Sequence, residues 1–285
     1  MTRHLLILPV LVAVLGIAPA AQDDVRGDET IRRTLRFAGS GARTLDLRVI
    51  TGSITVQGHD GGSVELVATR TTRADSEADA AAAGRNVTLD IADGGPTVSV
   101  IVREAPRPAC GERGWNGSSR RPRYRVRVDL TVRVPRDTSL RLCSVNGGDL
   151  RVDGTFGNFD VENVNGRIDM TGIRGAGKAV TVNGPVTVTF DRNPEGDSTF
   201  RTVNGDVDIR FRDGLSADLR MKTFNGGLFT DFDVVPIPGP AGVAERRNGM
   251  FVYRGGGFTT VRAGRSGGPV MTFETLNGDV RALRQ

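Results

Sequence analysis

Six times the sequence places an apolar residue before asparagine and glycine: at Asn146, Asn165, Asn183, Asn204, Asn225 and Asn277, each preceded by Val, Phe or Leu. The intervals are 19, 18, 21, 21 and 52 residues. Asn-Gly between alternating apolar and polar runs is a strong hairpin signal. The near-constant period constrains the fold more tightly, because self-similarity at about twenty residues marks repeated structural units. Asn116 and Asn248 also precede glycine but lack the surrounding pattern.

Rows aligned on asparagine agree at further positions. Two residues earlier stand Ser144, Asn163, Thr181, Thr202, Thr223 and Thr275; four earlier stand Leu142, Val161, Ala179, Phe200, Met221 and Phe273. Three residues later come Ile168, Val186, Val207, Leu228 and Val280, while the first row carries an extra Gly148 and reaches Leu150 one place late. A weaker copy, "LDLRVITGSITV", puts Thr51 in the asparagine column.

A meander of hairpins and a stack of coils would both use such corners. Asp-Gly or Gly-Gly would turn a hairpin as well, so the constant asparagine favours coils stacked about 4.8 Å apart, where identical amides hydrogen-bond as a ladder. The glycine supplies the positive φ of the corner. The expected fold is therefore all-β, a single-stranded β-solenoid (β-helix) with coils of about 18–21 residues and one short helix in the N-terminal part. Alternation counted up to the corner would leave Val145, Val164, Val182, Val203, Phe224 and Leu276 outside as an apolar stripe. A break in alternation at the turn would bury them instead.

The flanking segments fit around this repeat. Arg3, an apolar run from Leu5 to Ile17 and Ala18-Pro19-Ala20 read as a signal peptide over residues 1–20. That run is shorter than the ~20 residues of a spanning helix. Residues 21–285 are expected to form a single solenoid domain. Its first part, about 30–134, holds strands, a short helix and an Arg-rich loop; its second, about 135–285, holds the repeat, with a loop insertion near 233–257. "DSEADAAAAGR" predicts the helix, capped by Asp75 or Ser76 and stopped by Gly84. "NVTLDIADGGPTVSVIV" predicts two strands, and the strand Tyr124–Val134 ends at Pro135. Arg103–Arg123 and Pro236–Gly257 read as loops.

Little in the chain suits catalysis. After signal cleavage His59 is the one histidine left, so a histidine-dependent triad would have to be built on it. Asp149, Asp169, Asp206, Asp208 and Asp279 recur after the corners and could form an acidic row for Ca²⁺ or for acid-base work on polysaccharide. Arg167 and Pro185 interrupt that row. No catalytic residue, cofactor or metal ligand is assigned. Arg113, Trp115, Arg120, Arg121 and Arg123 form a basic, aromatic loop able to grip phosphate or sugar polymers. Cys110 and Cys143, two cysteines in an exported chain, are expected to form a disulfide. The formal charge of +5 adds mild attraction to anionic polymers.

"VDLTVRVPRDTSLRLCSVNGGDLRVDG", "FDVENVNGRIDMTGI" and "KAVTVNGPVTVTF" resemble the bacterial β-strand-repeat family known as "putative adhesin", a domain of unknown function. The resemblance runs from about Leu45 to Leu283 and implies an extracytoplasmic β-helix without established catalytic residues. The resulting expectation is a non-enzymatic periplasmic or extracellular protein that presents a repetitive surface to an envelope protein or glycan. It has no membrane span after cleavage and no nucleic-acid partner. A polysaccharide-acting enzyme on the same scaffold is the alternative, and an element that self-associates end to end is a third reading.

Overall fold

Strand after strand buries every second side chain. In Val207–Phe211 the residues Val207, Ile209 and Phe211 are fully buried, while Asp208 and Arg210 face outward. Such alternation needs a second layer to cover the apolar side, and two sheets supply it for each other. The computed structural model describes residues 25–39, 41–112, 122–238, 244–247, 250–253 and 257–285. Residues 1–20, read from the sequence as a signal peptide, lie outside the described residues.

The first sheet has ten strands. Val25–Arg36, Ser63–Ala74 and Tyr124–Pro135 run antiparallel at one end. From there a parallel series continues through Ile54–His59, Leu150–Asp153, Ile168–Ile173, Val186–Phe190, Val207–Phe211, Val280–Arg284 and Leu228–Thr230. The second sheet has eleven strands. Its parallel centre runs from Thr97–Glu104 through Thr44–Thr51, Ser139–Asn146, Phe159–Asn163, Gly177–Val180, Ser198–Arg201 and Val270–Glu274 to Ala217–Lys222. Val87–Ala92 closes one end, and Thr259–Ala263 with Val234–Pro236 closes the other, all antiparallel.

This arrangement corrects the expected fold. The chain is not a single-stranded β-solenoid of uniform coils: it is two large mixed sheets, with antiparallel strands at the ends and a strand order that departs from the sequence. Constant corners report that rows lie side by side in register. They carry no information on the order of the rows or on the pairing beyond them. The 52-residue interval shows the difference. Instead of adding coils past Asn225, the chain leaves, forms the antiparallel end strands and returns, so that Val270–Glu274 and Val280–Arg284 slot between the strands of the Asn204 and Asn225 rows.

Between the sheets lies one apolar cluster. The column four residues before asparagine is contiguous there, as Leu142, Val161, Ala179, Phe200, Phe273 and Met221 pair in parallel register. Phe200 and Phe273 stack at 5.7 Å, and Phe190 and Phe211 at 5.3 Å. Burying each ring contributes roughly 1.5–3 kcal/mol, so these layers dominate the C-terminal half. The one α-helix among the described residues is Glu77–Asn86, with Ser76 accepting from the Asp79 amide as N-cap. Gly84 does not stop it; the helix runs two residues further. Within the stretch read as a loop, Ala244–Arg247 and Met250–Tyr253 pair as a hairpin.

Candidate functional site

Each repeat row crosses from the second sheet to the first through its Asn-Gly corner. All six asparagines are exposed there. Asn225 donates its side-chain amide to Asn277 Oδ1 at 2.7 Å, Asn277 to Asn204 at 2.7 Å, and Asn204 to Asn183 at 2.8 Å. Asn183 donates to Asn165 at 2.8 Å and Asn165 to Asn146 at 3.0 Å. Every amide points the same way along the edge, so each inner asparagine both donates and accepts.

A second column lies just inside. Thr202 Oγ1 donates to the Gly184 carbonyl at 2.8 Å, Thr275 to Gly205 at 2.9 Å, Thr181 to Gly166 at 2.9 Å and Thr223 to Gly278 at 2.8 Å. Ser144 and Asn163 do the same for Gly52 and Gly148. These donors satisfy the carbonyls of the neighbouring corner, as buried polar groups require. The glycine is then forced by packing: at Gly205, where φ is +150°, a Cβ would collide with the Gly184 carbonyl oxygen. Asparagine, glycine and threonine therefore serve three separate contacts of one corner.

Three of the five carboxylates after the corners are occupied by the backbone, while Asp208 pairs with Arg210. Asp149 accepts from the Arg167 amide, Asp206 from the Asp279 amide at 2.9 Å, and Asp279 from the Gly227 amide at 2.8 Å. Arg281 pairs with both Asp206 and Asp279. The Asp279 amide and the Arg281 guanidinium hold the Asp206 carboxyl below its ordinary range. Pro185 interrupts the row at no cost, since it has no N–H to satisfy. Among the described residues no group of three or more His, Cys, Asp or Glu could hold a metal ion. His59 is taken up by a turn: Gly61 N–H donates to Nδ1 at 2.9 Å, which leaves Nε2–H to donate to the Ser63 carbonyl.

Cys110 and Cys143 form a disulfide. It fastens the segment after Thr97–Glu104 across the outer face of the second sheet. A cavity of about 270 Å³ lies beside it, lined by Arg48, Arg141, Asp160 and Glu162. Asp46, almost fully buried nearby, takes both Nε and Nη2 of Arg48, at 2.8 and 2.7 Å, and the bonded carboxylate raises the Arg48 pKa. The repeat pattern gives no hint of this pair, although Asp-x-Arg on a strand puts both side chains on one face. Of the basic loop, Arg113, Trp115, Arg120 and Arg121 lie outside the described residues. Arg123 is exposed in the bend before Tyr124–Pro135.

Beside the asparagines runs the residue that precedes them. Val145, Val164 and Val203 are half-buried, whereas Val182 is 38%, Leu276 45% and Phe224 73% exposed. In spatial order the row reads Val145, Val164, Val182, Val203, Leu276, Phe224, because the last repeat row is inserted. Alternation breaks at the corner in an unforeseen way: both the apolar residue and the asparagine turn outward. The result is one ridge, amides on one flank and apolar groups on the other.

No family model matches the sequence, and no curated protein matches it. Three solved structures show similarity. "A putative cell adhesion protein" from Clostridium sporogenes is 8% identical, with 91% of this chain and 100% of that chain covered at a TM-score of 0.40. "A putative adhesin" from Bacteroides fragilis is 11% identical, with 90% and 97% covered and a TM-score of 0.36. A "putative lipid binding protein" from Parabacteroides distasonis is 8% identical, with 90% and 96% covered and a TM-score of 0.34. None of these scores reaches 0.5, and the function is therefore argued from the residues of this chain alone.

Proposed function

We propose that this chain is a non-enzymatic, exported contact protein that meets an envelope protein or glycan through its corner ridge. The observation that carries the reading is the exposed series Val182, Leu276 and Phe224 beside the amide ladder. Contiguous exposed apolar surface marks an interaction site more often than a bystander face, and the neighbouring amides add directional hydrogen bonding. A disulfide persists in oxidising compartments, which supports an exported location. Among the described residues no helix is long and apolar enough to cross a membrane.

The non-enzymatic reading draws support from the carboxylates. Asp206 already accepts a backbone N–H group and an arginine, which hold its carboxyl below the ordinary range and disfavour the protonated state a general acid needs near neutral pH. Purified protein incubated with bacterial polysaccharides should leave polymer length unchanged. It should also bind envelope fractions saturably, and the double variant Phe224→Asp/Leu276→Asp, folded by circular dichroism, should lose that binding. Polymer shortening that disappears in Asp206→Ala would instead establish an enzyme.

A further inference from the structure

Beyond the Asn146 end of the ridge, where Arg127 donates to the Gly147 carbonyl, the outer face of the first sheet brings three arginines abreast. Arg26 lies opposite Arg73, and Arg73 lies opposite Arg125, on three adjacent antiparallel strands. All three are exposed. Directly opposed residues of antiparallel strands sit about 4.5–5.5 Å apart at Cα, and like charges so placed are destabilising. A guanidinium cannot relieve the repulsion by losing its proton. Elsewhere on this face the chain answers arginine with carboxylate, as in Arg127 with Asp129, Arg133 with Glu65 and Arg151 with Asp149. Among the described residues no such ion pair reaches Arg26, Arg73 or Arg125.

Next to this row opens a cavity of about 510 Å³, lined by Arg73, Arg123 and Arg125 around Tyr124, with Asp75 as the one carboxylate among its described lining residues. The Tyr124 ring is held in place by Asn86, whose side-chain amide donates to the phenol oxygen at 3.0 Å. A fixed aromatic wall and several guanidiniums thus share one recess.

We propose that this arginine row binds a linear anionic polysaccharide, one carrying sulfate, phosphate or carboxylate groups along its length. The row crosses three strands, so a small anion meets only part of it, whereas a chain of anions lying across the strands engages every fork in bidentate fashion. A lipid surface fits less well. The large exposed apolar residues among those described, Val182, Phe224, Phe229, Val235 and Leu276, all lie in other parts of the sequence and leave nothing here to insert. The site is separate from the corner ridge, so either can fail without the other.

Dextran sulfate, neutral dextran, inorganic phosphate and duplex DNA are the probes, titrated into the intact protein. Dextran sulfate should bind, neutral dextran should not, and affinity should fall steeply between about 50 and 300 mM salt as screening shortens. Arg73→Gln/Arg125→Gln should weaken binding by at least about tenfold, while Arg210→Gln, on the same sheet but paired with Asp208, should not. Because the row is repulsive when empty, Arg73→Gln and Arg125→Gln should each raise the melting temperature without polymer and shrink the rise that dextran sulfate produces. Unchanged affinity in the double variant, equal loss in Arg210→Gln, a lower melting temperature in both single variants, or preference for DNA would overturn the proposal. So would binding of phosphate as tight as that of the polymer.

Discussion

At the scale of single residues, the corner separates three roles that the letters Thr, Asn and Gly hold in every row. Asn204→Ala removes one bond given and one received on an exposed edge; at about 0.5–1 kcal/mol net per bond it should cost about 1–2 kcal/mol. Asn225→Ala, at the end of the ladder, loses only the bond it gives to Asn277 and should cost about half as much. Thr202→Val keeps the shape but strips the Gly184 carbonyl of its inward donor, a change of roughly 1–3 kcal/mol. Gly205→Ala meets backbone rather than a movable side chain and should cost roughly 1–3 kcal/mol in backbone strain or more, against little for Gly62→Ala, which faces open space. Urea unfolding of these variants tests the ranking. Asp206 adds a pH dependence. Its folded pKa is depressed, so its contribution is present above the usual carboxylate value of about 4 and is lost as pH falls through the folded value. Asp206→Asn should therefore flatten the fall in urea midpoint between about pH 5 and pH 2.5.

At the scale of elements, the sequence is informative wherever a pattern is local. The Ser76 cap and the strand ending at Pro135 both follow from residues a few places apart. The hairpin Ala244–Tyr253 falls in a stretch that reads as loop, although its strands are separated by Asn248-Gly249, the dipeptide that most strongly marks a hairpin. What no local pattern contains is the partner of a strand. Val280–Arg284 carries the same letters as the other rows, yet its neighbours are set by a long excursion through Thr259–Ala263. The ridge is half legible for a similar reason: alternation counted up to the corner leaves Val182, Leu276 and Phe224 outside, as the structure has them, but parity cannot be carried through the corner, so the outward turn of Asn183 beside them has no sequence signal. The disulfide acts at this scale too. Cys110→Ser/Cys143→Ser opens a link across 33 positions and should lower stability by about 2–4 kcal/mol in urea unfolding.

For the whole molecule, both sheets depend on the final strands. Without them the Asn204 and Asn225 rows have no shared edge, and the apolar ridge breaks between Val203 and Phe224. The insertion of the Asn277 row is thus what makes the proposed contact surface continuous. Cysteine pairs at the corner test it directly, since both native cysteines are already bridged. Asn204 and Asn277 are adjacent in the ladder, as are Asn277 and Asn225, whereas Asn204 and Asn225 stand two rows apart, about 9–10 Å. Asn204→Cys/Asn277→Cys should oxidise to an intramolecular disulfide in the folded protein, and Asn204→Cys/Asn225→Cys should keep two free thiols. Rapid bridging of the 204/225 pair with free thiols in the 204/277 pair would place the rows in sequence order and contradict the account.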